Sequence, residues 1–169
     1  VPVMFFARRV FAAACLALAL WTGTAAAQVP GADPQFLEAK RLFDGLDYEN
    51  AVRALDQAIA VLQARTPQDL IVRDLLASAY EMRGRSKFGL GDQPGAGADF
   101  VALLKVNPAY VLTGDVSPRV VALFEATAKE TVTTLNLSVA PATARVDIDG
   151  VLVTARGVVP VAIGNHTIT

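Results

Sequence analysis

From residue 36 to about 130 the apolar positions recur every three or four residues, and beyond 131 they alternate with polar ones. The first period is that of helices burying one face, the second that of half-buried strands. Ala51, Leu55, Ala58, Ile59 and Leu62 form the clearest helical stripe, in the second half of a hairpin predicted over 36–62. Two helices of that length cannot bury both stripes on each other, so the hairpin needs a neighbour. Asp33 before Pro34 reads as an N-cap and first helical position, and Phe36, Leu37, Leu42 and Phe43 give the first helix its apolar side. Gly45-Leu46-Asp47 makes the turn, and the second helix runs to about Ala64. Thr66-Pro67-Gln68-Asp69 is expected to open the third, with Thr66 as cap, Pro67 at the first position and an acid facing the dipole. Its stripe is Val72, Leu75, Leu76, Ala79 and Tyr80, and it reaches Phe88. A Gly-rich break over 89–97 leads to a fourth helix over about 96–106, with Phe100, Leu103 and Leu104, stopped by Asn107-Pro108. Ser117 and Pro118 open a fifth, carrying Val120, Val121, Leu123 and Phe124 and ending near Glu130. Between them, Tyr110, Val111 and Leu112 are expected to pack under the helices.

At Thr131 the texture changes. Leu135, Leu137 and Val139 alternate with Asn136 and Ser138, and Pro141-Ala142-Thr143-Ala144 turns the chain. The stretch 145–150 alternates again and ends in Asp149-Gly150, the strongest short hairpin signal. Short strands follow over 151–153 and 159–163, and Gly164-Asn165 turns into 166–169. The pattern predicts an α+β chain of about five helices and a small all-β unit, divided as 28–35 linker, 36–130 helical and 131–169 β.

The first 27 residues stand apart. Arg8 and Arg9 precede an apolar run over 10–21, and Ala25-Ala26-Ala27 precedes Gln28. This is the layout of a secretory signal peptide with cleavage after Ala27, and the run falls short of the roughly 20 residues that span a bilayer. Arg8-Arg9-Val10-Phe11 also fits a twin-arginine signal, and ordinary n-region bases serve equally. Cys15, the only cysteine, lies inside this stretch as an apolar filler rather than an acylation site. A mature form without it has no disulfide and no Cys-based metal site. The chain carries 15 Lys+Arg against 16 Asp+Glu, and the leader holds two of the bases and none of the acids. The acidic remainder argues against nucleic-acid binding, which needs a concentrated basic face.

Gly45-x-Asp47-Tyr48-x-x-Ala51 with Leu55 and Ala58 parallels Gly91-Asp92-x-x-x-Ala96 with Phe100 and Leu103. With the Asn107-Pro108 ending, 36–108 resembles the tetratricopeptide repeat, although the spacing from Ala51 to Ala96 exceeds that family's usual ~34 residues. Pro141 to Ala144, Val146-Asp147-Ile148-Asp149-Gly150, Pro160 and Gly164-Asn165-His166 resemble the PEGA module of bacterial envelope proteins over 135–169. Ala142-Thr143 replaces that module's Glu-Gly and Val159 its Thr. The family continues past this strand, so the resemblance implies a chain truncated at its C-terminal end.

Candidate chemistry is sparse. His166 is the only histidine, and a general base or metal ligand needs companions that the sequence does not place beside it. A structural role at a strand start is expected. Asp147 and Asp149 read as a solvated strand face with a turn-forming Asp149, rather than a Ca²⁺ or acid–base pair. Ser117 has its capping role, the 89–97 segment lacks the strand and Lys-Ser/Thr of a phosphate loop, and Asn136-Leu137-Ser138 and Asn165-His166-Thr167 are chance sequons. No catalytic, cofactor or metal residues are predicted. The resemblances imply a periplasmic or secreted, non-catalytic scaffold or adaptor that binds an envelope protein or peptide and meets a membrane only through its signal segment. The groove is expected on the exposed side of the first and third helices, near Lys40, Arg73 and Tyr80. A polysaccharide- or wall-binding module is the alternative, but 131–169 contains no aromatic residue for a sugar platform.

Overall fold

The computed structural model describes residues 33–65, 69–141, 143–154 and 157–169. The segment expected to be a signal peptide, the Thr66-Pro67 opening and Ala142 lie outside the described residues. The fold is α+β: α1 (Pro34–Asp44), α2 (Tyr48–Gln63), α3 (Leu70–Gly89), α4 (Gln93–Val106) and α5 (Pro118–Thr131), then β1 (Val132–Leu137), β2 (Asp147–Ile148), β3 (Val151–Leu152) and β4 (Gly157–Ala162). Each helix packs on the next, and α1 also touches α3. No helix among the described residues is long and apolar enough to cross a membrane.

Every helix begins on a short polar side chain that takes up a free backbone N–H of the first turn. Asp33, Asp47, Asp69, Asp92 and Ser117 accept from Gln35, Asn50, Ile71, Gly95 and Val120 respectively. These caps shift two of the expected boundaries. Asp69 starts α3 at Leu70, later than Thr66-Pro67. Asp92 starts α4 at Gln93, before Ala96, because Pro94 falls in the first turn, where no N–H is needed. Between α4 and α5, Tyr110 and Leu112 pack against the core as expected, whereas Val111 is exposed.

The internal similarity in sequence is also one of geometry. Asp47 and Asp92 hold nearly the same backbone angles (φ −82°, ψ 70° and φ −82°, ψ 76°). Each follows a left-handed residue, Leu46 (φ 60°) or Gly91 (φ 87°). At equal distances beyond the two caps, Ala51 and Ala96, Leu55 and Phe100, and Ala58 and Leu103 are all completely buried. At the first of these positions small residues bring helices together. At Gly84 of α3, facing Ala96, a Cβ would lie 2.9 Å from Phe100 Cε1 and 3.3 Å from the Ala96 carbonyl. Phe100 then meets Phe124 of α5 edge-on, with centroids 5.5 Å apart.

α3 lies between α2 and α4 and buries polar side chains on both flanks. Arg83 grips Asp99 of α4 through Nε at 3.0 and 3.1 Å and Nη2 at 2.5 Å, and donates from Nη1 to Asp56 of α2 at 2.6 Å. Lys87 adds a second cation to Asp99 at 2.9 Å. Glu81 accepts from Tyr110 Oη at 2.5 Å and from Arg85 at 2.9 Å, tying the α4–α5 connection to α3. Burial and the neighbouring carboxylate raise the Tyr110 hydroxyl well above its ordinary range, so it stays a donor.

The strands form two antiparallel pairs, β1 with β4 and β2 with β3. Thr134 stands opposite Pro160. The Ile163 N–H donates to the Thr131 carbonyl, and alternation along the ladder makes Thr134–Pro160 a non-hydrogen-bonded pair. Pro160 therefore sits in a strand without removing a ladder bond. Asp149 (φ 53°) and Gly150 (φ 76°) close β2–β3 with both central residues left-handed, the type I′ turn that Asp-Gly predicts. Segment 166–169 then runs along β2: the Asp147 N–H donates to Thr169, the Thr169 N–H returns to Asp147, and the Asp149 N–H donates to Thr167.

Two glycine substitutions separate propensity from packing. At Gly97, inside α4, an added Cβ would meet nothing within 4 Å, so Gly97→Ala is expected to stabilise by about 0.5–1 kcal/mol. Gly84→Ala must displace the fully buried Phe100 ring and is expected to destabilise on the order of 1 kcal/mol despite its helix propensity. Urea denaturation of both variants checks this; equal stabilisation by the two would show that α3 and α4 do not meet at Gly84.

Candidate functional site

Because the helices run alternately up and down, α2 and α4 end on the side where α3 begins. The β-unit packs against these ends, and a half-open cavity of about 400 Å³ remains at the junction. Leu62, Val72, Leu76, Val106 and Pro108 line it from the helices, and Ile148, Val151, Val153, Val159, Val161 and Ala162 from the strands. Four consecutive residues of β4, Val159-Pro160-Val161-Ala162, border the cavity. Successive side chains of a strand point to opposite faces, so the cavity runs along the edge of β4. Among the described strands only β1 pairs with β4, and it occupies the other edge. A second hollow of about 280 Å³ lies beside Tyr110, Leu112 and Phe124.

The charged groups at the junction are mostly cationic. Arg65 is held by Asp33, the cap of α1, at 2.5 Å. Arg73 donates from Nη2 to the Val106 carbonyl, fastening the first turn of α3 to the last of α4. Lys105 is exposed and has no ion-pair partner among the described residues. Bases near the ends of α2 and α4 also suit the negative ends of those helix dipoles.

His166 lines the cavity from the β side. Its Nδ1 lies 2.6 Å from Asp149 Oδ2 and its Nε2 2.6 Å from the Ala162 carbonyl. Both partners are acceptors, so both ring nitrogens must carry protons for both bonds to form. The Asp149 carboxylate, with the Ala162 carbonyl second, raises the His166 pKa above its ordinary 6.5. The His166 bond, with the Thr167 N–H at 2.9 Å, lowers that of Asp149. The imidazolium clasps the end of β4, the β2–β3 turn and the 166–169 segment together, and neither nitrogen is left for a ligand.

The three residues expected to form a groove do not converge. Lys40 is exposed on α1 and paired with Asp44 at 2.6 Å. Tyr80 is 6% exposed, its hydroxyl accepting from Gln63 at 2.7 Å, so its ring belongs to the core. Only Arg73 borders the cavity. Sequence reasoning did not single out Lys105, Arg65 or the β4 edge. The bases ending the second and fourth helices were a visible signal, but nothing local indicated that the strands would dock over them.

The chain matches no protein-family model, no curated protein and no solved structure. Among the described residues no three His, Cys, Asp or Glu groups converge on a metal position. Among the described residues the junction offers apolar walls, two cations without a salt-bridge partner and a β4 edge that no strand pairs.

The clasp sets a pH dependence. A raised folded-state pKa means that its stabilisation is fully present below pH 6.5 and is lost as pH rises through the folded value. NMR titration of the single imidazole is expected to give a pKa above 6.5, and Asp149→Asn is expected to lower it. A wild-type value at or below 6.5 would contradict the two-acceptor arrangement.

Proposed function

We propose that this protein is a non-catalytic scaffold or adaptor of the bacterial cell envelope, exported by its leader, and that it binds a segment of another protein in the junction cavity. The cavity is the observation that carries this reading: an apolar hollow of about 400 Å³, in the size range of ligand sites, open to solvent and bordered by a β4 edge that no described strand pairs. The tetratricopeptide-like and PEGA-like sequence patterns support it, since both modules serve as interaction surfaces. The binding place is moved from the exposed side of α1 and α3 to the junction, because Tyr80 belongs to the core, Lys40 is paired with Asp44, and of the three residues only Arg73 borders the cavity. A wall-binding function gains no support from aliphatic cavity walls, which offer no aromatic platform for a sugar ring.

Leu76→Trp, a half-buried wall position, fills the hollow and supplies the test. The mature chain is expected to capture an envelope protein from extract, and the Trp variant, once circular dichroism shows it folded, to lose that capture. Retention of both forms only on purified wall material would overturn the adaptor reading.

A further inference from the structure

We propose that the junction cavity selects an extended acidic–apolar peptide segment, one whose apolar side chains are followed by carboxylates. This rests on the adaptor reading and adds the chemistry of its partner. The charge balance favours an acid. Arg65 is neutralised by Asp33 and His166 by Asp149, while Arg73 is bonded to a carbonyl and Lys105 has no ion-pair partner among the described residues. Arg73 also lies near enough to Asp149 to help lower its pKa, so Asp149 screens it only in part. Two cations thus stand at the mouth of an aliphatic cavity in a chain whose net charge is −1. Electrostatic complementarity of this kind fixes partner choice and register.

The strand edge favours a peptide over an alkyl chain. Thr134–Pro160 and Val132–Ala162 are non-hydrogen-bonded pairs of the β1–β4 ladder, so the backbone groups of Pro160 and Ala162 face away from β1. The Ala162 carbonyl is taken by His166 Nε2, and among the described residues the Pro160 carbonyl and the Ala162 N–H are left to pair with an incoming backbone. Pro160 offers no N–H, which limits the pairing to a short stretch and guards against unrestricted strand addition. A ligand would then lay a few extended residues along β4, seat side chains against Val72, Leu76 and Val161, and bring its carboxylates to Arg73 and Lys105.

Titration calorimetry tests this with three probes: the capped peptide Ac-Val-Pro-Leu-Val-Asp-Asp-NH2, its Asn-Asn counterpart, and dodecanoate. The wild-type chain is expected to bind the Asp peptide roughly tenfold more tightly than the Asn peptide, the gap narrowing as salt rises. Lys105→Glu, an exposed position that leaves the fold intact, is expected to weaken the Asp peptide roughly tenfold and leave the Asn peptide unchanged. Equal binding of the two peptides would overturn the proposed selectivity while leaving the adaptor reading standing. Binding of dodecanoate alone, or of no probe, would overturn both.

Discussion

The grip of Arg83 on Asp99 is the interaction on which the rest of the fold depends. Asp99 is almost fully buried, and a buried carboxylate is costly unless its charge and lone pairs are met. Arg83 meets two of its oxygens at once, Lys87 adds a second cation, and the other end of the guanidinium reaches Asp56. The same side chain therefore touches α2 and α4 from α3. Apolar stripes alone would let neighbouring helices slide by a turn, since any hydrophobic surface can cover another. A fork-shaped cation on one buried acid allows one register. The small residues across α3 and α4, Gly84 and Ala96, then set the separation at which that register packs.

From this register the cavity follows. Val72, Arg73 and Leu76 occupy the first turns of α3, and they reach the junction only when α3 is held at the proper height between α2 and α4. Arg73 closes the arrangement by bonding to the last turn of α4. On the other side, the β-unit is held together by few backbone bonds: two two-stranded pairs and a short return along β2. The His166–Asp149 clasp compensates, joining three pieces of chain through one imidazolium. The two walls of the site thus rest on different physics, a packed helical core and a charge-assisted clasp.

Much of the architecture was legible in the sequence, and the reasons are local. Helical periodicity located the five helices of the described residues, and Asp33, Ser117 and the Gly45-Leu46-Asp47 turn were readable because caps and turns are decided by neighbouring residues. Asp149-Gly150 predicted a tight hairpin because only a left-handed pair closes a two-residue turn without splaying the strands. The starts of α3 and α4 differ from expectation because Asp69 and Asp92 cap them, accepting from the Ile71 and Gly95 N–H groups. The site was less legible. Tyr80 sat on a helix face whose outward or inward direction depends on which helices flank it, and α3 turned out to be covered on both sides. The cavity joins residues more than a hundred positions apart, such as Leu62 and His166, and nothing in either neighbourhood encodes their meeting.

A cavity built this way needs its helices locked, because it is a gap between their ends and the strands rather than a surface of any one element. A double-mutant cycle on Arg83→Met and Asp99→Leu, read by urea denaturation, tests that claim most directly. Arg83→Met leaves the buried Asp99 carboxylate with Lys87 alone, and Asp99→Leu leaves the half-buried Arg83 and Lys87 without their shared acid; each is expected to cost up to about 3–5 kcal/mol. The double variant should recover at least ~2 kcal/mol of the summed loss. Additive losses would contradict the account, since they would mean that the two side chains stabilise α3 independently and that its register is set elsewhere.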